Sequence, residues 1–155
     1  MQRIVIPMFK QVYGRDYDDT DKGDRILIQK NTYILEWMGL DMGSYCFLWG
    51  KYGPYSLDLK GIIRYELEET GDEQLCLSSF AKNIVISVQD ILKEGEDLMH
   101  EVWKWMELVC SVHFLKQYMV KDDMELINTL KEYKPYLNND KANKKAIEIV
   151  NGLIR

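Results

Sequence analysis

The sequence predicts a mainly α (α+β) fold: a single compact helical domain carrying a small β-hairpin or short strand pair. Three observations carry this. Apolar residues recur at steps of three and four along most of the chain beyond residue 24. Glycines close several of those stretches. One short aromatic run, YCFLW at 45–49, breaks the helical pattern. A length of 155 residues fits one core, and 46% apolar with 29% charged residues is ordinary globular composition. The reading is one domain over 1–155, with an irregular lead-in at 1–23 and a helical core from 24 onward.

The lead-in ends in an acidic cluster, RDYDDTDKGD, read as a solvated loop in which Asp24 caps a helix starting near Arg25. That helix carries Ile26, Tyr33, Ile34 and Trp37 at spacings that recur on one face, and Gly39 stops it. The strand 45–49 comes next, its alternation sending Tyr45, Phe47 and Trp49 to the core side. Gly50, Gly53 and Pro54 force a tight turn, and Ser56 caps a helix over 57–70 with Leu59, Ile62, Ile63 and Leu67 inward. Residues 73–80 are read as the returning strand. A helix then carries Ile84, Val88, Ile91 and Leu92. In 97–119, Leu98, Val102, Trp105, Val109 and Val112 alternate steps of four and three, which predicts a seam on a helix about 34 Å long. Helices over 122–133 and 139–154 complete the chain.

Charge divides unevenly. The formal net charge is −5, with 4 basic and 11 acidic residues in 56–101. A non-specific nucleic-acid binder needs a concentrated basic footprint, and none is visible in the chain order. No apolar run approaches the roughly 20 residues of a membrane span, and the N-terminus lacks the features of a secretory signal. A cytoplasmic protein is expected.

Cys46, Cys76 and Cys110 form no C-x-x-C pair, which fits free, buried thiols in a reducing compartment. Cys110 and His113 share a helical face at i, i+3, but two ligands do not make a zinc site. No nucleophile elbow, Walker loop, zincin motif or dinucleotide fingerprint occurs. The sequence therefore predicts no enzyme, no cofactor and no metal.

A helix, a short strand, a tight turn and another helix also suit a winged-helix-like arrangement in the N-terminal half, hence the alternative of a nucleic-acid-binding regulator. Its reading helix would be 57–70. Lys60 and Arg64 lie on one face there, but Asp58, Glu66, Glu68 and Glu69 would repel phosphates. Lys141, Lys144 and Lys145 are the remaining basic cluster, an ordinary solvated helix start. Nucleic acid is disfavoured, and a homodimer is left open.

Aromatic density points to a binding surface instead. Tyr45, Phe47, Trp49, Tyr52 and Tyr55 fall within 11 residues around the Gly-Pro turn. Tyrosines in a loop offer apolar area with a polar tip, as interface anchors do. Two readings stand side by side: the turn is a docking surface, or it is a lock onto the first core helix. The docking reading takes Trp49, Tyr52, Gly53, Pro54, Tyr55, Ser56, Lys60 and Arg64 as partner-binding residues.

The stretches RILIQKNTYIL (25–35) and FLWGKYGPYSLDL (47–59) resemble the YwgA-like uncharacterised bacterial proteins and, more distantly, the Panacea (SocA-like) antitoxin domain. The shared pattern is a Gln-Lys pair in the first core helix, a short aromatic strand and a Gly-Pro turn with a neighbouring aromatic. Gln29, Lys30, Trp49, Gly53, Pro54, Tyr55 and Ser56 fill those positions. The resemblance implies a small helical cytoplasmic domain without catalytic residues and, for the Panacea relatives, neutralisation of a toxin by direct contact or an adaptor role. The expected function is a protein-interaction module, an antitoxin-like or phage-related accessory protein. The acidic stretch after Arg64 would steer a basic partner such as a nucleic-acid-binding toxin.

Overall fold

The computed structural model describes residues 3–69 and 75–153. Its helices are α1 (Val5–Tyr13), α2 (Lys22–Trp37), α3 (Leu57–Glu68), α4 (Ser79–Gly95), α5 (Val102–Tyr118), α6 (Asp123–Tyr133) and α7 (Asp140–Leu153). Strands β1 (Leu48–Gly50) and β2 (Gly53–Tyr55) form an antiparallel hairpin between α2 and α3, and a single 3₁₀ turn, Pro135–Leu137, joins α6 to α7. The mainly helical fold with a small hairpin is the class expected from the sequence.

Helix α5 is the axis, packed against α2, α4, α6, α7 and β2. Every residue from Trp105 to Leu115 is buried, so the helix is enclosed on all sides. That corrects the expected seam: Leu98 precedes the helix, and Val102 is exposed. A helix surrounded by neighbours has no single inward stripe for the sequence to display. Three of its polar side chains, Glu107, Ser111 and His113, are buried along with the apolar ones.

The irregular lead-in is also corrected. Val5, Met8, Phe9 and Val12 fall on one buried face of α1, and Gly14 ends it at φ 69°. Pro7 sits in the first turn, where its missing N–H leaves no helix bond unmade. The free amides at that end meet the buried carboxylate of Glu66 on α3: Ile4 and Val5 donate to Oε2 at 3.2 and 3.1 Å, and Ile6 to Oε1 at 2.9 Å. A cap supplied from 60 residues away leaves no local signal.

Helix α2 begins three residues before the expected start. Asp21 is its cap, accepting from the Asp24 amide at 3.1 Å. Asp24 lies inside the first turn, buried and paired with Arg15 at 2.6 Å.

The strand assignments shift too. β1 runs 48–50 and pairs with β2 around Lys51 and Tyr52, in the register Leu48↔Tyr55, Trp49↔Pro54, Gly50↔Gly53. The expected return over 73–80 is not a strand where it is described: 75–78 are irregular and Ser78 caps α4, while 73–74 lie outside the described residues. Tyr45, Phe47 and Trp49 do pack against the core.

Candidate functional site

The hairpin is bound to the helices behind it through its backbone. Gln29 and Ser56 exchange two hydrogen bonds: the side-chain amide donates to the Ser56 carbonyl at 3.0 Å and accepts from its N–H at 2.9 Å. The next residue, Lys30, donates through Nζ to the Pro54 carbonyl at 2.8 Å. Its side chain is fully buried, and burial pushes its ammonium down to about 8. Consecutive helix residues point about 100° apart, so the Gln-Lys pair grips two points of one turn.

A second grip comes from the other side. Lys134, at the end of α6, donates to the Gly50 carbonyl at 3.2 Å and, more closely, to that of Lys51. The same ammonium lies 3.5 Å from the buried Glu107 carboxylate and 4.8 Å from the Trp49 ring centroid. Tyr136 donates to the Lys51 carbonyl at 3.1 Å and makes a short contact with Glu107. Burial moves both members of the ion pair toward neutrality, Glu107 upward and Lys134 downward. Gly53 closes the arrangement. It adopts φ +89°, and a Cβ there would stand 2.5 Å from Ser111 Oγ.

In front of the hairpin lies a groove of about 610 Å³. Helix α2 lines it with Lys22, Arg25, Ile26 and Gln29, and α3 with Lys60, Ile63, Arg64 and Leu67. These residues keep to the i, i+3, i+4, i+7 spacing of one helix face, and the buried Ile28 and Lys30 reach the groove from beside the α2 stripe. The hairpin contributes Lys51, Tyr52 and Tyr55, and Tyr17 and Asp19 complete the rim. Five exposed cations thus face a single exposed carboxylate. Among the described residues, Lys22, Arg25, Lys51, Lys60 and Arg64 make no ion pair. Lys22 and Lys51 crowd one ring, their ammoniums 4.8 and 5.4 Å from the Tyr52 centroid. A hydrogen bond to Lys22, with the charges of both lysines, draws the Tyr52 phenol below its usual value.

The residues that stand out in the sequence divide into two layers. Gln29, Lys30, Gly53, Pro54 and Ser56 form the buried lock; Ser56 also caps α3, accepting from Leu59 N at 3.2 Å. Tyr52, Tyr55, Lys60 and Arg64 face the groove. Trp49 is turned away from it, stacked near Phe114 and Tyr133. Glu107 and Ser111 carry no sequence signal, and nothing local marks Lys134 and Tyr136, in the K-P-Y-L stretch before the last helix, as a clamp on this turn. Lys22 and Arg25 escape the sequence reading because a helix starting near Arg25 leaves Lys22 in a loop; the observed start at Lys22 puts both on the face of Gln29.

Cys110 and His113 point to separate partners. The Cys110 thiol, pushed up to about 12 by burial, lies 3.7 Å from the Lys30 carbonyl. His113 Nδ1 shares a 2.8 Å hydrogen bond with the Tyr33 hydroxyl. Cys46 and Cys76 are exposed, which corrects the expectation of three buried thiols. Among the described residues, no three His, Cys, Asp or Glu side chains gather as metal ligands, and no helix is long and apolar enough to cross a membrane. No family model, curated protein or solved structure matches the chain.

Proposed function

We propose that this chain is a non-catalytic protein-interaction module that holds a partner in the groove between α2, α3 and the hairpin. One observation carries the reading. Six hydrogen bonds with Gln29, Lys30, Lys134 and Tyr136 fix the hairpin backbone from behind, while Tyr52 and Tyr55 face outward. A surface already ordered loses less entropy on docking, so more contact energy is left as affinity. The docking and lock readings of the turn are then two faces of one device.

The resemblance to YwgA-like and Panacea proteins rests on residues that mostly make this lock, which favours a toxin-neutralising or phage-related accessory role. A nucleic-acid partner has the groove's cations in its favour. Against it, the basic surface is concave and sets the aliphatic Ile26, Ile63 and Leu67 among its cations, which a phosphate backbone does not need. Affinity capture from the host should retain one specific protein on the wild type and lose it on Tyr52→Ala and Tyr55→Ala, both folded. Retention of the same protein by both variants would place the interface elsewhere, and capture of nucleic acid alone would make the rival correct.

A further inference from the structure

Resting on that reading, we infer that the groove takes a short, extended, acidic segment of the partner protein. Its carboxylates would meet the cations of the two walls, and an apolar side chain would lie between them on Ile26 and Ile63.

The charge is the first argument. The chain as a whole carries −5, yet this concavity gathers five exposed cations against Asp19. Two of them lie against the Tyr52 ring, and neither is in an ion pair among the described residues. Cations without a carboxylate partner leave a positive potential that an anion from outside lowers. Of the described part of the acidic run after Arg64, Glu66 is turned inward onto α1, and the exposed Glu68 and Glu69 neither line the groove nor pair with its cations.

The distribution is the second. A phosphate site concentrates donors on one point, whereas these cations stand on two helices and a turn. The lining stripes 22–29 and 60–67 each run about 10 Å along their helices. That length matches about three residues of extended chain, whose side chains alternate toward opposite sides. Adjacent acidic residues would therefore reach Lys22 or Arg25 on one wall and Lys60 or Arg64 on the other. The branched aliphatics between them suit a segment with an apolar side chain rather than a polyanion.

The test is panning of a random eight-residue peptide library on the immobilised protein, with synthesised winners titrated by fluorescence anisotropy. Enriched sequences should carry two or more Asp or Glu beside an apolar residue and weaken as salt rises from about 50 to 500 mM. The doubly reversed Lys60→Glu/Arg64→Glu protein should bind at least about tenfold more weakly, as should Lys51→Glu. Lys141→Glu/Lys144→Glu, with the same charge change on exposed positions of α7, should bind as the wild type does. Unchanged thermal midpoints establish that the variants are folded. Basic or uncharged winners that Tyr52→Ala still abolishes would overturn the acidic occupant and leave the interaction module standing. No enrichment over the Tyr52→Ala protein would overturn both. Duplex DNA that displaces the peptides and loses affinity with the same reversals would overturn the acidic segment in favour of a phosphate backbone.

Discussion

The side-chain amide of Gln29 pairs with the backbone of Ser56 as one strand pairs with its neighbour, giving and receiving a hydrogen bond at 3.0 and 2.9 Å. Both residues are buried, so water cannot replace either bond. The pair fixes where β2 ends and where α3 begins, because Ser56 is also the α3 cap.

Gln29→Leu is expected to strand the buried Ser56 N–H, while the Ser56 carbonyl keeps the Lys60 N–H at 3.2 Å, at a cost of about 1–3 kcal/mol. Gln29→Glu keeps the acceptor for the Ser56 N–H but sets a carboxylate oxygen against the Ser56 carbonyl. It should be at least as destabilising. Urea unfolding measures both, and a loss under about 0.5 kcal/mol for either would mean the pair holds nothing.

Gly53 and Ser111 separate strain from collision. Alanine at 53 meets a φ of +89° and, in addition, Ser111 Oγ at 2.5 Å. Ser111 Oγ has no hydrogen-bond partner among the described residues, so Ser111→Ala alone should change stability by less than about 1 kcal/mol. Gly53→Ala should cost about 2–4 kcal/mol, and adding Ser111→Ala should restore the collision part. The backbone part of about 1–2 kcal/mol would remain. Strict additivity in this double-mutant cycle would show that the hydroxyl is not what Gly53 avoids.

These pairs show what a sequence can display. Helices whose buried face is a stripe, such as the one carrying Ile84, Val88 and Ile91, are legible from spacing alone. So are the Ser56 cap and the Gly-Pro turn, whose chemistry is local. The hairpin register is not, because aromatic content marks 45–49 while the pairing is set by Gly50 and Gly53 facing each other. Helix α1 escapes notice because its cap, Glu66, sits on another helix. The groove is half legible. Tyr52, Tyr55, Lys60 and Arg64 are marked by type and place, but the wall formed by Lys22 and Arg25 belongs to a helix whose expected start falls near Arg25.

Glu66 gives that long-range cap a measurable value. Its carboxylate accepts from three consecutive amides that have no intrahelical partner. Glu66→Ala should cost about 2 kcal/mol or more, since hydrogen bonds to a charged acceptor exceed neutral ones. The loss should concentrate in α1. Hydrogen exchange at residues 5–13 should accelerate more than in α2 or α5, as a helix released at one end opens locally. Uniform acceleration across all helices would mean that α1 does not depend on this contact.

His113 ties stability to acid. Burial between α2 and α5 holds its imidazole down to about 4, against an ordinary value of 6.5. The unfolded chain takes up a proton as pH falls through 6.5, while the folded protein declines it until about pH 4. The unfolded state therefore binds more protons across that window, and stability falls as pH falls within it. The contribution is complete above pH 6.5, and its loss amounts to on the order of 3 kcal/mol by pH 4. Because carboxylates titrate in the same range, the useful quantity is a difference. His113→Gln removes the titrating ring while keeping an acceptor near the Tyr33 hydroxyl, 2.8 Å from Nδ1 in the native protein. From about pH 7 to pH 4 the wild type should lose stability faster than this variant. Parallel curves would mean that the folded protein protonates His113 as readily as the unfolded chain does, which its burial beside Tyr33 and Trp37 argues against.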